Sequence, residues 1–388
     1  PIVVGCCGSG LATIQKLNRM LASNPALADR MGDEMFYLAI DTDIAPLTAF
    51  SENISEDMNG RPAPFIAEIQ LSRGIRQLKQ ITDACMVHPF KGKSDSPALD
   101  RINEHWWFRR GKPFEAPAVT NLMTGAGQCP PASYCLAWFR MDEIAKQVHV
   151  IIDHIKSKFG RLVTGEDINP IANINVFLVA GLAGGTGRGV WELVAYKIRE
   201  IFEKEYELPV QPIGVFFTEG VFADVKKRYP HQIPALKVNS LTGLSELSSL
   251  MKTGRSGDDS EIFRMRMPNM RTPQRELTDV LGIDNSVAGR TSPVHSAYLV
   301  CGDRDEGRLD GSKQFYEMAG AALYTMIVNS NINSTACNDD DPFLSFASNT
   351  FEVDVTHLRS YFENYVRGVA LDRLAKVDVD QGDAVREF

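Results

Sequence analysis

The chain has 388 residues, 44% hydrophobic and 23% charged, which is apolar material for one large core or two joined ones and excludes disordered and collagen-like classes. No apolar run approaches the roughly 18 residues of a membrane helix, and the amino terminus lacks a basic region, short apolar stretch and cleavage site, so no membrane segment and a cytoplasmic location are expected. A formal net charge of −8 argues against general nucleic-acid binding, which needs a basic surface.

Pro1-Ile2-Val3-Val4-Gly5 reads as a β-branched strand, Cys6 to Gly10 as a turn, and Leu11, Ile14, Leu17 and Leu21 as one helix face. A second strand, Met35 to Ile40, runs into Asp41-Thr42-Asp43, and a third unit sets Gly125-Ala126-Gly127 and Pro130 before the apolar Tyr134 to Phe139. The clearest unit is the fourth, where the strand Ile174 to Ala180 meets Gly184-Gly185-Thr186-Gly187-Arg188-Gly189 and Val190, Leu193, Val194, Ile198, Ile201 and Phe202 mark a helix face. Strands follow at Pro212 to Phe217 and His295 to Cys301, trailed by helical patterns at Leu236 to Met251 and Ser312 to Val328. This alternation predicts an α/β fold, a Rossmann-like, mostly parallel sheet of about six strands with helices on both faces. Residues 89–119, rich in Pro, Lys, Asp and Arg, break the rhythm and read as an insertion or long loop; 253–284 and 331–341 are further polar breaks.

A glycine loop between strand and helix lets backbone N–H groups approach an anion without a Cβ in the way, and the helix amino terminus adds partial positive charge. One such loop also serves simply to turn a chain, but several in one chain point to phosphate binding. The loop ending at Gly189 lacks the Lys-[Ser/Thr] of a P-loop, which excludes a Walker-type site, while the Thr186 hydroxyl can donate to a phosphate oxygen.

The run Ala183-Gly184-Gly185-Thr186-Gly187-Arg188-Gly189 resembles the Gly-Gly-Thr-Gly signature of the tubulin/FtsZ superfamily. Other segments fall in the family's order. Gly5 to Gly10 resembles its first phosphate loop, Ala39-Ile40-Asp41-Thr42-Asp43 its Ala-Ile-Asn-Thr-Asp, and Gly125-Ala126-Gly127 with Pro130 its Gly-Ala-Gly-x-x-Pro loop near the terminal phosphate. Asp224 to Arg228 resembles Glu-Gly-Lys-Lys-Arg, whose acidic and arginine side chains meet the nucleotide, and Gly243-Leu244-Ser245-Glu246-Leu247 resembles a helix of FtsZ. The likeness covers roughly residues 1–330 and is nearest to bacterial tubulin-like proteins that are neither FtsZ nor true tubulin.

The resemblance implies GTP or GDP, with Mg2+, held by Gly8, Ser9, Gly10, Asp41, Asp43, Gly125, Ala126, Gly127, Gly184, Gly185, Thr186, Gly187, Arg188, Asp224 and Arg228. It also implies a GTPase that assembles head-to-tail with itself, with adaptor proteins as further partners. Arg188 stands where the family has Ser or Thr, and its guanidinium is expected to contact a phosphate. The family stacks an aromatic of its central helix on guanine; Phe315 and Tyr316 can both stack here, Phe315 being the residue assigned, but Ala319 and Gly320 cannot read a base edge. Hydrolysis in the family uses an acidic loop of the neighbouring subunit, for which Asp339, Asp340 and Asp341 are the candidates, with Asp354 competing and a solvated acidic loop as the plain alternative. The implied organisation is a nucleotide-binding domain at 1–311, a central helix at 312–333, and a reduced or truncated carboxyl-terminal domain at 334–388.

Seven cysteines, an odd number without paired CxxC motifs, read as reduced thiols, Cys6 and Cys7 as small residues filling a tight loop, and no metal site is assigned. Trp106-Trp107-Phe108 reads as an anchor of its own loop or as a partner surface. Two other functions compete. A non-hydrolysing nucleotide-binding scaffold shares the fold, and an NAD(P)-dependent oxidoreductase could use Gly5 to Gly10 with Asp41 as ribose-binding acid, although Asp41 lies about ten residues late for a compact unit.

Overall fold

The computed structural model describes residues 1–76, 122, 125–159, 174–208, 210, 212–256, 292–302, 311–328, 343–345, 365 and 367. Strand β1 (Ile2–Cys6) leads into α1 (Cys7–Ser23) and the short α2 (Pro25–Met31), β2 (Phe36–Asp41) leads into α3 (Ile44–Met58), and β3 (Phe65–Gln70) follows. Helices α4 (Pro130–Phe139) and α5 (Met141–Phe159) precede β4 (Val176–Gly181), which enters α6 (Thr186–Glu200). Then come β5 (Ile213–Phe217), α7 (Ala223–Arg228), the long α8 (Ile233–Ser256), β6 (Ser296–Val300), α9 (Ser312–Val328) and β7 (Phe343–Leu344).

The seven strands form one sheet in the order β3-β2-β1-β4-β5-β6-β7, parallel throughout. Strands β1, β2 and β4 are buried at every position, as the inner strands of a sheet covered on both faces must be. The α/β fold class expected from the sequence is the one observed, with one strand more than expected. Strand β3 is not among those read from the sequence, because its apolar residues are interrupted by the exposed Glu68 and it lacks the continuous run that marks its neighbours.

Alternation along each strand divides the core in two. Val3, Tyr37, Phe177 and Val215 face α1, α3 and α9, whereas Val4, Leu38, Leu178 and Phe216 face α4, α5 and α6. Strand ends are level: Cys6 lies opposite Ile40 and Ala180, Gly181 opposite Phe217, and Phe217 opposite Val300. Sequence order reverses between β1 and β4, and in such sheets the crevice outside the carboxyl ends at the reversal is where ligands bind.

Helix α1 lies close to the sheet because Gly10 has no side chain; a Cβ there would come 2.5 Å from Val179 O and 2.9 Å from Gly5 Cα. Helix α9, the expected central helix, crosses α1 at Gly320, where a Cβ would meet Thr13 O at 2.8 Å. Its amino terminus is capped from a distance, Ser312 N donating to Asp224 Oδ2 at 3.0 Å. All of this belongs to one compact unit, residues 1–346; the second, 347–388, contributes the described helical residues Tyr365 and Arg367. Among the described residues no helix is long and apolar enough to cross a membrane. The insertion at 89–119 lies outside the described residues.

Gly10→Ala must push α1 off the sheet and is expected to cost about 1–3 kcal/mol. Gly8→Ala, where a Cβ meets nothing within 4 Å, is expected to leave stability nearly unchanged. Thermal unfolding of the two variants beside the parent checks the contrast.

Candidate functional site

Four loops converge where β1, β2 and β4 end. The first opens α1, with Cys7 in the left-handed region at φ 81°. Its sulfur would stand 2.8 Å from a Cβ on Gly187, so the first and last glycine loops touch only because Gly187 lacks one. Burial pushes the Cys7 thiol above its ordinary pKa, as it does for Cys6, which makes both poor nucleophiles. The described cysteines Cys6, Cys7, Cys129 and Cys301 carry free thiols.

The second loop is Asp41-Thr42-Asp43. Asp41 Oδ1 accepts from Thr42 N at 2.7 Å and Asp43 N at 3.1 Å, and Asp43 caps α3 by accepting from Ala45 N at 3.1 Å. Burial raises the Asp41 pKa from 3.8 to about 6, because desolvation of the carboxylate outweighs its hydrogen bonds. Thr42 Oγ1 accepts from Ala126 N at 3.1 Å and shares a 2.7 Å hydrogen bond with Thr186 Oγ1, tying this loop to the other two.

The third loop, 125–129, and the fourth, 181–189, meet backbone to backbone. A Cβ on Gly185 would overlap Gly127 O, and Ser133 Oγ, at the start of α4, donates to Gly185 O at 2.6 Å. Asn239 of α8 donates to both Gln128 O and Ala183 O at 3.1 Å. Backbone at Gly8, Gly125 and Gly184 faces open space, with nothing within 4 Å of an added Cβ. Both α1 and α6 begin without a side-chain cap and without an acidic residue in the first turn. Their positive dipole ends meet at the crevice, with the N–H groups of Ser9 and Gly10 directed at the Cys7 sulfur, and a cradle of this kind fits a chain of phosphates.

The structure redirects three expected ligands. Phe315, expected to stack on a base, is only 2% exposed and lies in the core beneath α9. One residue further along a helix points about 100° away, and it is Tyr316 that reaches the site: Ser9 Oγ donates to its hydroxyl at 3.3 Å, and its ring meets Phe217 edge-on at 5.2 Å. Arg188 is buried at 7% exposure, pairs with Glu246 of α8 and lies where a Cβ on Gly243 would be, so it fastens α6 to α8 and does not present its guanidinium to the cradle as expected. Asp224 caps α9, while Arg228 is exposed at the end of α7. Asp339, Asp340, Asp341 and Asp354 lie outside the described residues, as does Trp106-Trp107-Phe108.

Sequence reasoning missed Thr42, Ser133 and Asn239. Thr42 stood inside a recognised motif, but its two acidic neighbours drew the attention; Ser133 and Asn239 sit in apolar helical patterns where a lone polar residue is the signal of an inward hydrogen bond. Among the described residues no group of three or more His, Cys, Asp or Glu is arranged to hold a metal ion.

The reversed parallel sheet with glycine loops at its carboxyl edge defines a doubly covered, Rossmann-like α/β protein. The sequence model of the family described as Tubulin like matches residues 2–371, and the chain belongs to that family, within the tubulin/FtsZ superfamily. The solved structure of CetZ2 from Haloferax volcanii, a GTPgS-bound protofilament, is similar at 13% identity with a TM-score of 0.38, covering 87% of this chain; this chain spans 60% of the length of that one. No curated protein matches the chain.

Because the folded-state pKa of Asp41 is raised, its favourable contribution is complete below about pH 4 and is lost as pH rises through about 6. Asp41→Asn keeps the Oδ1 acceptor without the charge. Its stability relative to the parent is expected to grow between about pH 4 and pH 7, by on the order of 3 kcal/mol, as read by denaturant titration across that range.

Proposed function

We propose that the chain binds a guanine nucleotide in this cradle, assembles head-to-tail with copies of itself in the cytoplasm, and hydrolyses GTP at the subunit junction. The observation that carries the reading is the convergence of open backbone at Gly8, Gly125 and Gly184 on two uncapped helix amino termini at the reversal of the sheet. Membership of the tubulin-like family supports the guanine and the assembly. Gly8, Gly10, Gly184, Gly185, Thr186 and Gly187 line the phosphates, Gly125 to Gly127 the outermost one, and Tyr316 replaces Phe315 as the ring beside the nucleoside.

Mg2+ fits as a companion of the nucleotide, since it binds through phosphates and one or two carboxylates and keeps several waters. Asp41 and Asp43 are the carboxylates at this edge, and the desolvated Asp41 is the one that gains most from a nearby cation. Bound there, the ion would neutralise phosphate charge. Exposed apolar residues support self-association: Ile44, directly after Asp43, and Tyr229, Val238 and Leu241 along the segment that joins loop 125–129 through Gln128 and Gln232.

The non-hydrolysing scaffold stays as a second reading because the Thr186 hydroxyl is engaged by Thr42 and Arg188 by Glu246, leaving fewer side chains to act on a phosphate. Chromatography of nucleotide extracted from the purified chain is expected to recover guanine nucleotide; a nicotinamide dinucleotide, or no nucleotide with no uptake of added GTP, sinks the reading. Phosphate release measured against protein concentration is expected to show a threshold, as turnover coupled to assembly requires, whereas a scaffold shows no turnover at any concentration.

A further inference from the structure

Thr42 is fully buried, and its hydroxyl touches three segments at once. It accepts from Ala126 N at 3.1 Å, bonds Thr186 Oγ1 at 2.7 Å and stands 3.4 Å from Asp41 Oδ1, while the Thr42 carbonyl accepts from Ser72 Oγ. Ala126 sits between Gly125 at φ 109° and Gly127 at φ 56°, two residues with little conformational restraint of their own. Its N–H bond to Thr42 ties the middle of this turn to the neighbouring loops, beside the bonds from Gly125 N to Leu122 O and from Asn239 to Gln128 O. Two of the open backbone seats, at Gly8 and Gly184, adjoin the amino termini of α1 and α6; the third, at Gly125, belongs to a loop joined to Thr42 through Ala126 N.

We propose that Thr42 is a positioning residue that makes the cradle distinguish a nucleoside triphosphate from a diphosphate, by holding loop 125–127 against Thr186 where a third phosphate would lie. The inference rests on the nucleotide reading above. On that reading two phosphates lie at the two helix termini and the third at loop 125–127.

The proton arrangement gives the same hydroxyl a second effect. Since Thr42 Oγ1 already accepts from Ala126, its one proton goes either to Asp41, with Thr186 donating to Thr42, or to Thr186. In the second arrangement the Thr186 proton is released to donate to a phosphate oxygen. An anion beside Thr186 therefore selects the state in which Thr42 donates away from Asp41, and no bond is made or broken other than these hydrogen bonds.

The test is calorimetric titration of the full chain, with magnesium, by GTPγS and by GDP, using the parent, Thr42→Val and Thr42→Ser. Thr42→Val is expected to weaken GTPγS about tenfold while changing GDP less than about twofold, the loss of one buried hydrogen bond, and Thr42→Ser is expected to restore the parent's preference. Hydrogen exchange at residues 125–129 is expected to quicken in Thr42→Val and not in Thr42→Ser. Equal weakening of both ligands, or failure of serine to restore the ratio, overturns the proposal and leaves nucleotide binding standing. Binding of neither ligand by the parent overturns the nucleotide reading and this inference with it. Should Thr42→Val not fold, Thr42→Ala is titrated in its place with the same outcomes.

Discussion

Parallel strands that finish level place the starts of their following helices along one edge, and the reversal of order between β1 and β4 sets the openings of α1 and α6 side by side. Two positive helix ends so close repel unless something negative lies between them or the loops hold them in place. The loops do so by close contact, the Cys7 sulfur against Gly187 and the Gly127 carbonyl against Gly185. Without a Cβ at those points the segments pack at distances that no other residue permits.

Polar side chains around this edge mostly face one another. Arg188 pairs with Glu246, Asp224 caps α9, Asn239 bridges two carbonyls and Thr42 bridges two loops. A buried charge or hydroxyl without a partner is costly, so in a dry edge of this kind each such group is committed to the protein first. What is left toward the crevice is backbone N–H, which carries no titratable group and no rotamer freedom. Asp41 is the exception: it is held by N–H groups, no cation pairs with it among the described residues, and burial lifts its pKa to about 6.

Much of the fold was legible in sequence because inner parallel strands are continuous apolar runs, and β1, β2 and β4 run into loops that carry glycine or Asp. The same clarity located the loops at Gly8, Asp41, Gly125 and Gly184, whose residue types are dictated by backbone approach. Strand β3 was not legible, since a charged residue on its solvent side erases the run. Side-chain roles were less legible still. Phe315 and Tyr316 are adjacent aromatics on one helix, and only the packing of α9 on α1 through Gly320 decides which of them enters the core. Arg188 read as a phosphate ligand from its position in the loop, because its partner Glu246 is distant in sequence and brought near by α8.

The cap of α9 is supplied from 88 residues upstream, by Asp224. A chain emerging from the ribosome makes β1, β2, β4 and their loops well before Ser312 exists, so the crevice edge nearest Tyr316 is closed by a late, long-range contact whose loop-closure entropy must be met by the sheet already formed. The glycine loops are thus early structure and the aromatic wall is late structure. An incompletely synthesised chain would carry the first without the second.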